Sequence, residues 1–357
     1  MRQTEIAILR ESRRVPGCIS TSTPQLLPIH PPVESNEPMS SKEVVLVSDG
    51  QIQKAAELLR AGKLVAFPTE TVYGLGANAL NAEAVERIFA VKGRPNTSPV
   101  IVHVGNQEMV RLVTASWPEA ANALAEKFWP GPLTLVLPKT PAVPDIVTAG
   151  LQTVGVRMPA HPVALKLIRT AGIPIAGPSA NRFTQLSPTT AEHVRQRLGG
   201  RVDYILDGGR CEVGIESTVL SLVGERPVLL RPGGVSRQQI EALIGPVDLA
   251  EHAPEGSHAS PGMHPRHYSP RTRVLLVSSG QVPEEGSGAY LEITHAPRHT
   301  VGEVVVMPND AEEYAADLYR VLHYLDAKSY DWIAVEVPGN GPEWEAVLDR
   351  LRRAASK

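Results

Sequence analysis

Residues 52–76 read IQKAAELLRAGKLVAFPTETVYGLG, and the order of patterns within them decides the fold. Ile52, Ala55, Ala56 and Leu59 fall at i, i+3, i+4 and i+7, one face of a helix that Gly62 ends. The apolar run 64–67 follows at once as a strand, and residues 68–76 leave it as a stretch rich in hydroxyls and glycine. Helix, strand and polar exit describe an α/β unit at whose exit polar side chains and bare backbone meet.

Working outward, 44–47 reads as a further short strand. Apolar runs at 100–104, 133–137, 154–157, 173–176, 204–206, 218–222 and 228–230 alternate with helical patterns at about 82–91, 117–128, 161–171 and 190–198. Many short strands among helices predict an α/β domain over residues 44–244, built on a mixed, twisted sheet rather than a purely parallel one. Residues 245–271 lose the apolar period to Pro, Gly, Ser and His and read as a linker. A small Rossmann-like α/β domain is expected over 272–357, with strands near 274–277, 290–293, 303–307 and 332–337 and helices near 311–327 and 342–354. Asp310 is the expected N-cap of the first of these helices, and Tyr314, Leu318, Val321, Leu322 and Leu325 line its inner face. Residues 1–43 hold prolines, Ser and Thr without a sustained period, so little packed structure is expected there. They lack the apolar core of a signal peptide, and Met39 is a candidate start.

Composition narrows the class. The 357 residues carry 35 Lys plus Arg against 38 Asp plus Glu, a formal charge of −3, with neither a basic stripe nor a charged tail. That balance counts against a protein held to nucleic acid by phosphate contacts. The chain offers no membrane span. Cys18 and Cys211 sit far apart in unlike contexts, which argues against a disulfide framework and a cysteine zinc site and for a reduced, cytoplasmic setting. His264 and His267 stand at i and i+3 beside His252 and His258, but no cysteine or spaced acid completes a zinc set. No G-x-S-x-G elbow and no G-x-x-x-x-G-K-[ST] loop is present.

Several stretches suit polyphosphate chemistry. Lys92-Gly93-Arg94 closes a helix and enters Pro95-Asn96-Thr97-Ser98-Pro99, pairing a point charge and a bidentate fork with small hydroxyls. A helix end that favours cations explains the same residues. Gly177-Pro178-Ser179-Ala180-Asn181 follows a strand and leads to Ser187-Pro188-Thr189, a ligand loop or an ordinary turn. Arg157 and Arg231 each end a strand, where a salt bridge to a surface acid would explain either one singly, and Glu216-Ser217-Thr218 precedes a strand. Gly74, Gly76 and Ala79 mimic a dinucleotide fingerprint, but the polar stretch between them and the strand excludes the tight turn that motif needs.

Taken in order, Pro68-Thr69-Glu70-Thr71-Val72-Tyr73-Gly74-Leu75-Gly76, Lys92-Gly93-Arg94, Phe128-Trp129-Pro130-Gly131-Pro132-Leu133-Thr134, Ser179-Ala180-Asn181 and Arg231-Pro232-Gly233 resemble the YrdC-like threonylcarbamoyl-AMP synthases over about residues 45–240. Ser260-Pro261-Gly262-Met263-His264-Pro265-Arg266-His267-Tyr268-Ser269-Pro270 is similar to the linker of the long, two-domain branch. The resemblance implies a nucleotidyltransferase that condenses L-threonine, bicarbonate and ATP into threonylcarbamoyl-AMP and pyrophosphate, for threonylcarbamoyladenosine modification of tRNA. It implies Mg²⁺ carried by the ATP phosphates rather than by a protein metal site. The product passes to tRNA threonylcarbamoyl transferase machinery, so tRNA is reached indirectly.

By motif position the resemblance puts Thr71, His103, Arg157, Ser179 and Ser217 around threonine, with Arg157 on its carboxylate. It puts Lys92, Arg94, Ser98, Thr153, Asn181, Ser187, Arg231 and Tyr268 on ATP. Tyr268 in the linker would make residues 260–270 a lid. His264-Pro265 departs from the usual polar or basic pair, and the first 38 or so residues have no counterpart. Two rivals stand beside this reading. Carbamoyl transferases of hydrogenase maturation carry similar domains, but in longer, cysteine-rich chains. A noncatalytic module binding double-stranded RNA is the other, and net acidity counts against it.

Overall fold

The structure, a computed structural model, describes residues 46–250, 268–278 and 280–356. The expected N-terminal extension with Met39 and Cys18, and residues 251–267 with their histidines, lie outside the described residues.

Among the described residues the chain runs α1 (Asp49–Arg60), β1 (Val65–Phe67), β2 (Gly74–Asn78), α2 (Ala82–Lys92), β3 (Val102–His103), α3 (Gln107–Val113), α4 (Glu119–Phe128), β4 (Leu133–Pro138), α5 (Asp145–Thr148), β5 (Thr153–Arg157), α6 (Pro162–Ala171), β6 (Ile175–Ala176), α7 (Ala191–Leu198), β7 (Tyr204–Ile205), β8 (Thr218–Ser221), β9 (Val228–Arg231), α8 (Arg237–Ile244) and β10 (Asp248–Leu249). It continues through β11 (Arg273–Val277), β12 (Gly288–Glu292), β13 (Glu303–Val306), α9 (Ala311–Asp326), β14 (Trp332–Glu336) and α10 (Glu345–Ala355).

α1 forms because Ser48 and Gln51 make a reciprocal capping box and because Ile52, Ala55, Ala56 and Leu59 share one buried face. That face packs on α6, and burying Leu59 alone stabilises by about 2 kcal/mol. β1 then pairs with β2 antiparallel, Val65 opposite Gly76 and Phe67 opposite Gly74. A Cβ at Gly76 would come within 2.9 Å of the Phe67 ring, so glycine in the strand makes room for the aromatic across it. α2 is capped by the Asn81 side chain and ends at Lys92, with Gly93 at φ 63° turning the chain into the loop that carries Arg94 and Ser98.

The first sheet is mixed, in the order β10-β9-β8-β4-β5-β3-β6-β2-β1-β7. β3 is parallel to β5 and antiparallel to β6, which sets His103 and Arg157 opposite each other on neighbouring strands. The second sheet has the order β11-β14-β12-β13 and every pair in it is parallel. α9 begins at Asp310, whose carboxylate accepts from the Glu312 and Glu313 amides, and it buries Tyr314, Leu318, Val321, Leu322 and Leu325. None of the described helices is long and apolar enough to cross a membrane.

Three expectations change. Leu46 and Val47 form no strand; Leu46 is 87% exposed, and the chain passes directly into the α1 cap. The stretch expected to start a linker at 245 instead adds β10, which pairs with β9 through Asp248 and Leu249. At its other end Tyr268 is 1% exposed and the Ser269 amide bonds to Thr184 O, so these residues are packed. β2, α3, α5 and α8 were not anticipated. For α8 the signal was present, since Ser236 and Gln239 form a capping box.

Candidate active site

One cleft collects residues that lie far apart in the chain. Thr69, Thr71 and Val72 come from the exit of β1, Arg94 from the loop after α2, His103 from β3 and Arg157 from the end of β5. Ser179 follows β6, Glu216 and Ser217 precede β8, Arg231 ends β9, and Tyr268 enters from beyond β10. Eight of the residues singled out in the sequence line it together: Thr71, Arg94, His103, Arg157, Ser179, Ser217, Arg231 and Tyr268.

Each arginine is fixed by protein acceptors. Arg157 is buried; its Nε donates to Gly131 O at 3.2 Å, Nη1 to Thr71 Oγ1 at 2.9 Å, and Nη2 lies 2.7 Å from Glu70 Oε1. Arg94 donates to Ser98 Oγ at 2.6 Å and Pro99 O at 2.8 Å and lies over the Phe183 ring. Burial, chiefly, lowers its pKa to about 10, which leaves it charged at neutral pH. Arg231 reaches Ser217 O through Nε at 3.1 Å and Nη2 at 2.9 Å. Three guanidiniums around one cleft, each oriented by carbonyls and hydroxyls, are an arrangement with the charge and geometry to take an anion.

His103 lies edge-on to Phe67 with ring centroids 5.7 Å apart and is 3% exposed. Burial, then Arg157, lowers its pKa to about 3, so the imidazole is neutral. Its Nδ1 has no protein partner; with the ring proton on Nε2, the nitrogen that meets the Ile175 backbone, Nδ1 is an acceptor. Thr71 Oγ1 lies 2.8 Å from Thr69 Oγ1, and Ser217 Oγ 2.8 Å from Thr134 Oγ1.

Other singled-out residues stand behind the cleft. Lys92 is 3% exposed, with Nζ 2.5 Å from both Ser179 O and Asn181 O. Burial and then Arg94 lower its pKa well below the usual value. Asn181 is fully buried; Nδ2 donates to Arg182 O and Gln185 O, while Oδ1 makes no hydrogen bond. Ser98 braces Arg94, and Ser187 Oγ donates to Glu216 Oε1 at 2.5 Å. Thr153 lines a second, smaller cavity with Pro99 and Thr134; Ile101 borders both cavities.

The sequence reading assigned no role to Thr69, Glu70, Glu216, Tyr319 or Arg350. Glu70 and Glu216 lay inside quoted motifs, where a carboxylate beside hydroxyls was the signal. Tyr319 and Arg350 meet Glu216 across 103 and 134 residues, which no local pattern encodes. Cys211 is a buried free thiol whose pKa burial pushes up, away from nucleophilic use.

A family model described as Telomere recombination matches residues 57–233, and one described as Threonylcarbamoyl-AMP synthase, C-terminal domain, matches 235–356. The Pyrococcus abyssi threonylcarbamoyl-AMP synthase is 42% identical over 325 residues, covering 87% of this chain and 95% of its own. The Bacillus subtilis enzyme of that name is 44% identical over 328 residues, covering 86% and 94%. The structure of P. abyssi Sua5 complexed with L-threonine superposes with a TM-score of 0.81 at 40% identity, covering 87% of this chain and 96% of that one. Two matching models, close relatives over nearly their whole length and a shared architecture agree: the chain belongs to the threonylcarbamoyl-AMP synthase family.

Proposed function

We propose that this cleft binds L-threonine and ATP side by side and joins them through bicarbonate, a nucleotidyl transfer that releases pyrophosphate. The carrying observation is the convergence of Arg94, Arg157 and Arg231 on one cleft with the open acceptor of His103 and the hydroxyls of Thr71 and Ser217. The threonine amine adds to the carbon of bicarbonate-derived carbon dioxide and gives up a proton. An oxygen of the resulting carbamate attacks the α-phosphorus, and the bond to pyrophosphate breaks. Little bond-making falls to the protein; holding three reactants in line and meeting the phosphate charge supply the acceleration.

Arg157, with Thr71, Ser179 and Ser217, takes the threonine carboxylate and hydroxyl, and neutral His103 accepts from the amine. Arg94 and Arg231 take the phosphates of MgATP, and Tyr268 packs on the nucleotide side. Mg²⁺ enters with ATP as part of the substrate; among the described residues no group of three or more His, Cys, Asp or Glu is arranged to hold it. Ser98, Lys92, Asn181 and Ser187 serve ATP from one step back, by fixing Arg94, the 179–181 loop and Glu216. Thr153 serves it from the adjoining cavity. Residues 44–244 and 272–357 act as two domains of a cytoplasmic enzyme, whose product goes to the transferase that modifies tRNA.

The test is pyrophosphate release with Mg²⁺, comparing threonine plus bicarbonate, each alone, and serine in place of threonine. Release needing both substrates is expected. Release that ignores threonine would overturn the reading.

A further inference from the structure

α10 brings a buried arginine to the cleft wall from 134 residues away. No part of the Arg350 side chain is exposed. Its Nε donates to Glu216 Oε2 at 2.8 Å, Nη2 lies 3.4 Å from Glu216 O, and Nη1 reaches Asp349 at 2.7 Å. The guanidinium also lies 5.1 Å from the centre of the Tyr268 ring. Glu216 is gripped from other elements as well: Ser187 Oγ donates to Oε1 at 2.5 Å, and the Tyr319 hydroxyl of α9 donates to Oε2 at 3.1 Å.

Two arginines therefore hold consecutive carbonyls, Arg350 at Glu216 and Arg231 at Ser217, and both residues face the cleft. Burial by itself raises the Glu216 carboxyl; Arg350 first, then Arg231 and Ser187, overcome that and hold it below its usual value. Desolvating an ion pair recovers little net stability, and apolar residues of similar size often serve as well. A buried pair that touches two cleft-lining residues at once is better matched to orientation than to stability.

We propose that Arg350 is a positioning residue for synthesis: through Glu216 and Tyr268 it sets the wall of the cleft that Ser217 and the nucleotide share. α9 and α10 thereby brace a site whose lining comes from the first sheet, its loops and the segment that enters at Tyr268. This inference rests on the proposed function of the cleft.

The experiment compares wild type, Arg350→Met and the neutral double variant Arg350→Met/Glu216→Gln, measuring kcat and KM for ATP and threonine together with the melting temperature. Arg350→Met leaves a buried carboxylate unpaired and is expected to melt lower. The double variant removes both charges and is expected to recover the melting temperature. A misplaced wall predicts that kcat in the double variant stays roughly 10- to 100-fold below wild type, with both KM values within about threefold. Full kcat returning with stability would overturn the proposal and leave Arg350 a structural residue. Wild-type protein that releases no threonine-dependent pyrophosphate would instead overturn the reading of the cleft, and the proposal with it.

Discussion

Arg157 shows how much a single side chain can carry when its geometry is planar. It meets Gly131 O, Thr71 Oγ1 and Glu70 with three different nitrogens, which a lysine ammonium on a flexible stem cannot reproduce. Arg157→Lys keeps the charge and is expected to raise KM for threonine by roughly tenfold or more, the value of one hydrogen bond to a charged group. Unchanged threonine KM in steady-state kinetics would remove Arg157 from the threonine subsite. Its place at the end of a strand was legible in the sequence, whereas its role at threonine came only from the family resemblance. Glu216 was harder to read. Its partners arrive from α9 and α10, and a carboxylate before a strand has no distinguishing pattern until Tyr319 and Arg350 stand around it.

Among the elements, α1, α2 and α9 were legible because their caps and buried faces agree: Ser48 with Gln51, Asn81, and Asp310 with the Tyr314 to Leu325 face. β2 was not, because Gly-Leu-Gly-Ala-Asn carries turn chemistry, and what makes it a strand is the Phe67 ring lying across its glycines. The approach of α9 to the segment before Glu216 was equally hidden. Gly214 has φ 76°, and a Cβ there would lie 2.4 Å from Ala315 O and 2.5 Å from Ala316 Cα, both in α9. Gly214→Ala therefore meets helix backbone as well as left-handed strain. It is expected to cost about 2 kcal/mol or more in denaturant unfolding and to lower turnover by moving Glu216. A variant as stable as wild type would show that the segment can shift away from α9 freely.

At the scale of the whole molecule, the junction between the two sheets joins an apolar cluster, in which Val72, Leu186 and Ile215 meet Tyr314, Leu318 and Tyr319 of α9, to a set of polar contacts. Arg197 on α7 pairs with Asp326 at 2.7 Å, the Thr272 amide bonds to the same carboxylate at 2.9 Å, and His323 Nε2 lies 3.0 Å from Ser187 O. His193 on α7 stacks on His323 of α9 with ring centroids 3.9 Å apart. Burial, then Arg197, lowers His193 to about 4; burial, then His193, lowers His323 to about 3. Both folded values lie below the unfolded value of about 6.5, so the unfolded chain binds more protons in that window and stability falls as pH drops from about 6.5 toward 4. Depressed carboxylates such as Glu336 lose their contribution only below about pH 4.3. The melting temperature is expected to fall by roughly 5 °C between pH 7 and pH 5, and by less in His323→Gln. Equal melting at the two pH values would show that the stack does not govern this junction.

The enclosed amine of Lys92 has a consequence of another kind. Amine-directed reagents acylate lysines that present an unprotonated nitrogen to solvent, and Lys92 holds its nitrogen between two carbonyls with 3% of the residue exposed. Lys166, by contrast, exposes 52% of its side chain in a surface ion pair with Asp49, and solvent reaches its nitrogen without any loop moving. Lys92 is expected to react only when the loop carrying Ser179 and Asn181 swings away, so the lag in its acylation, followed by mass spectrometry, times the local opening of that loop.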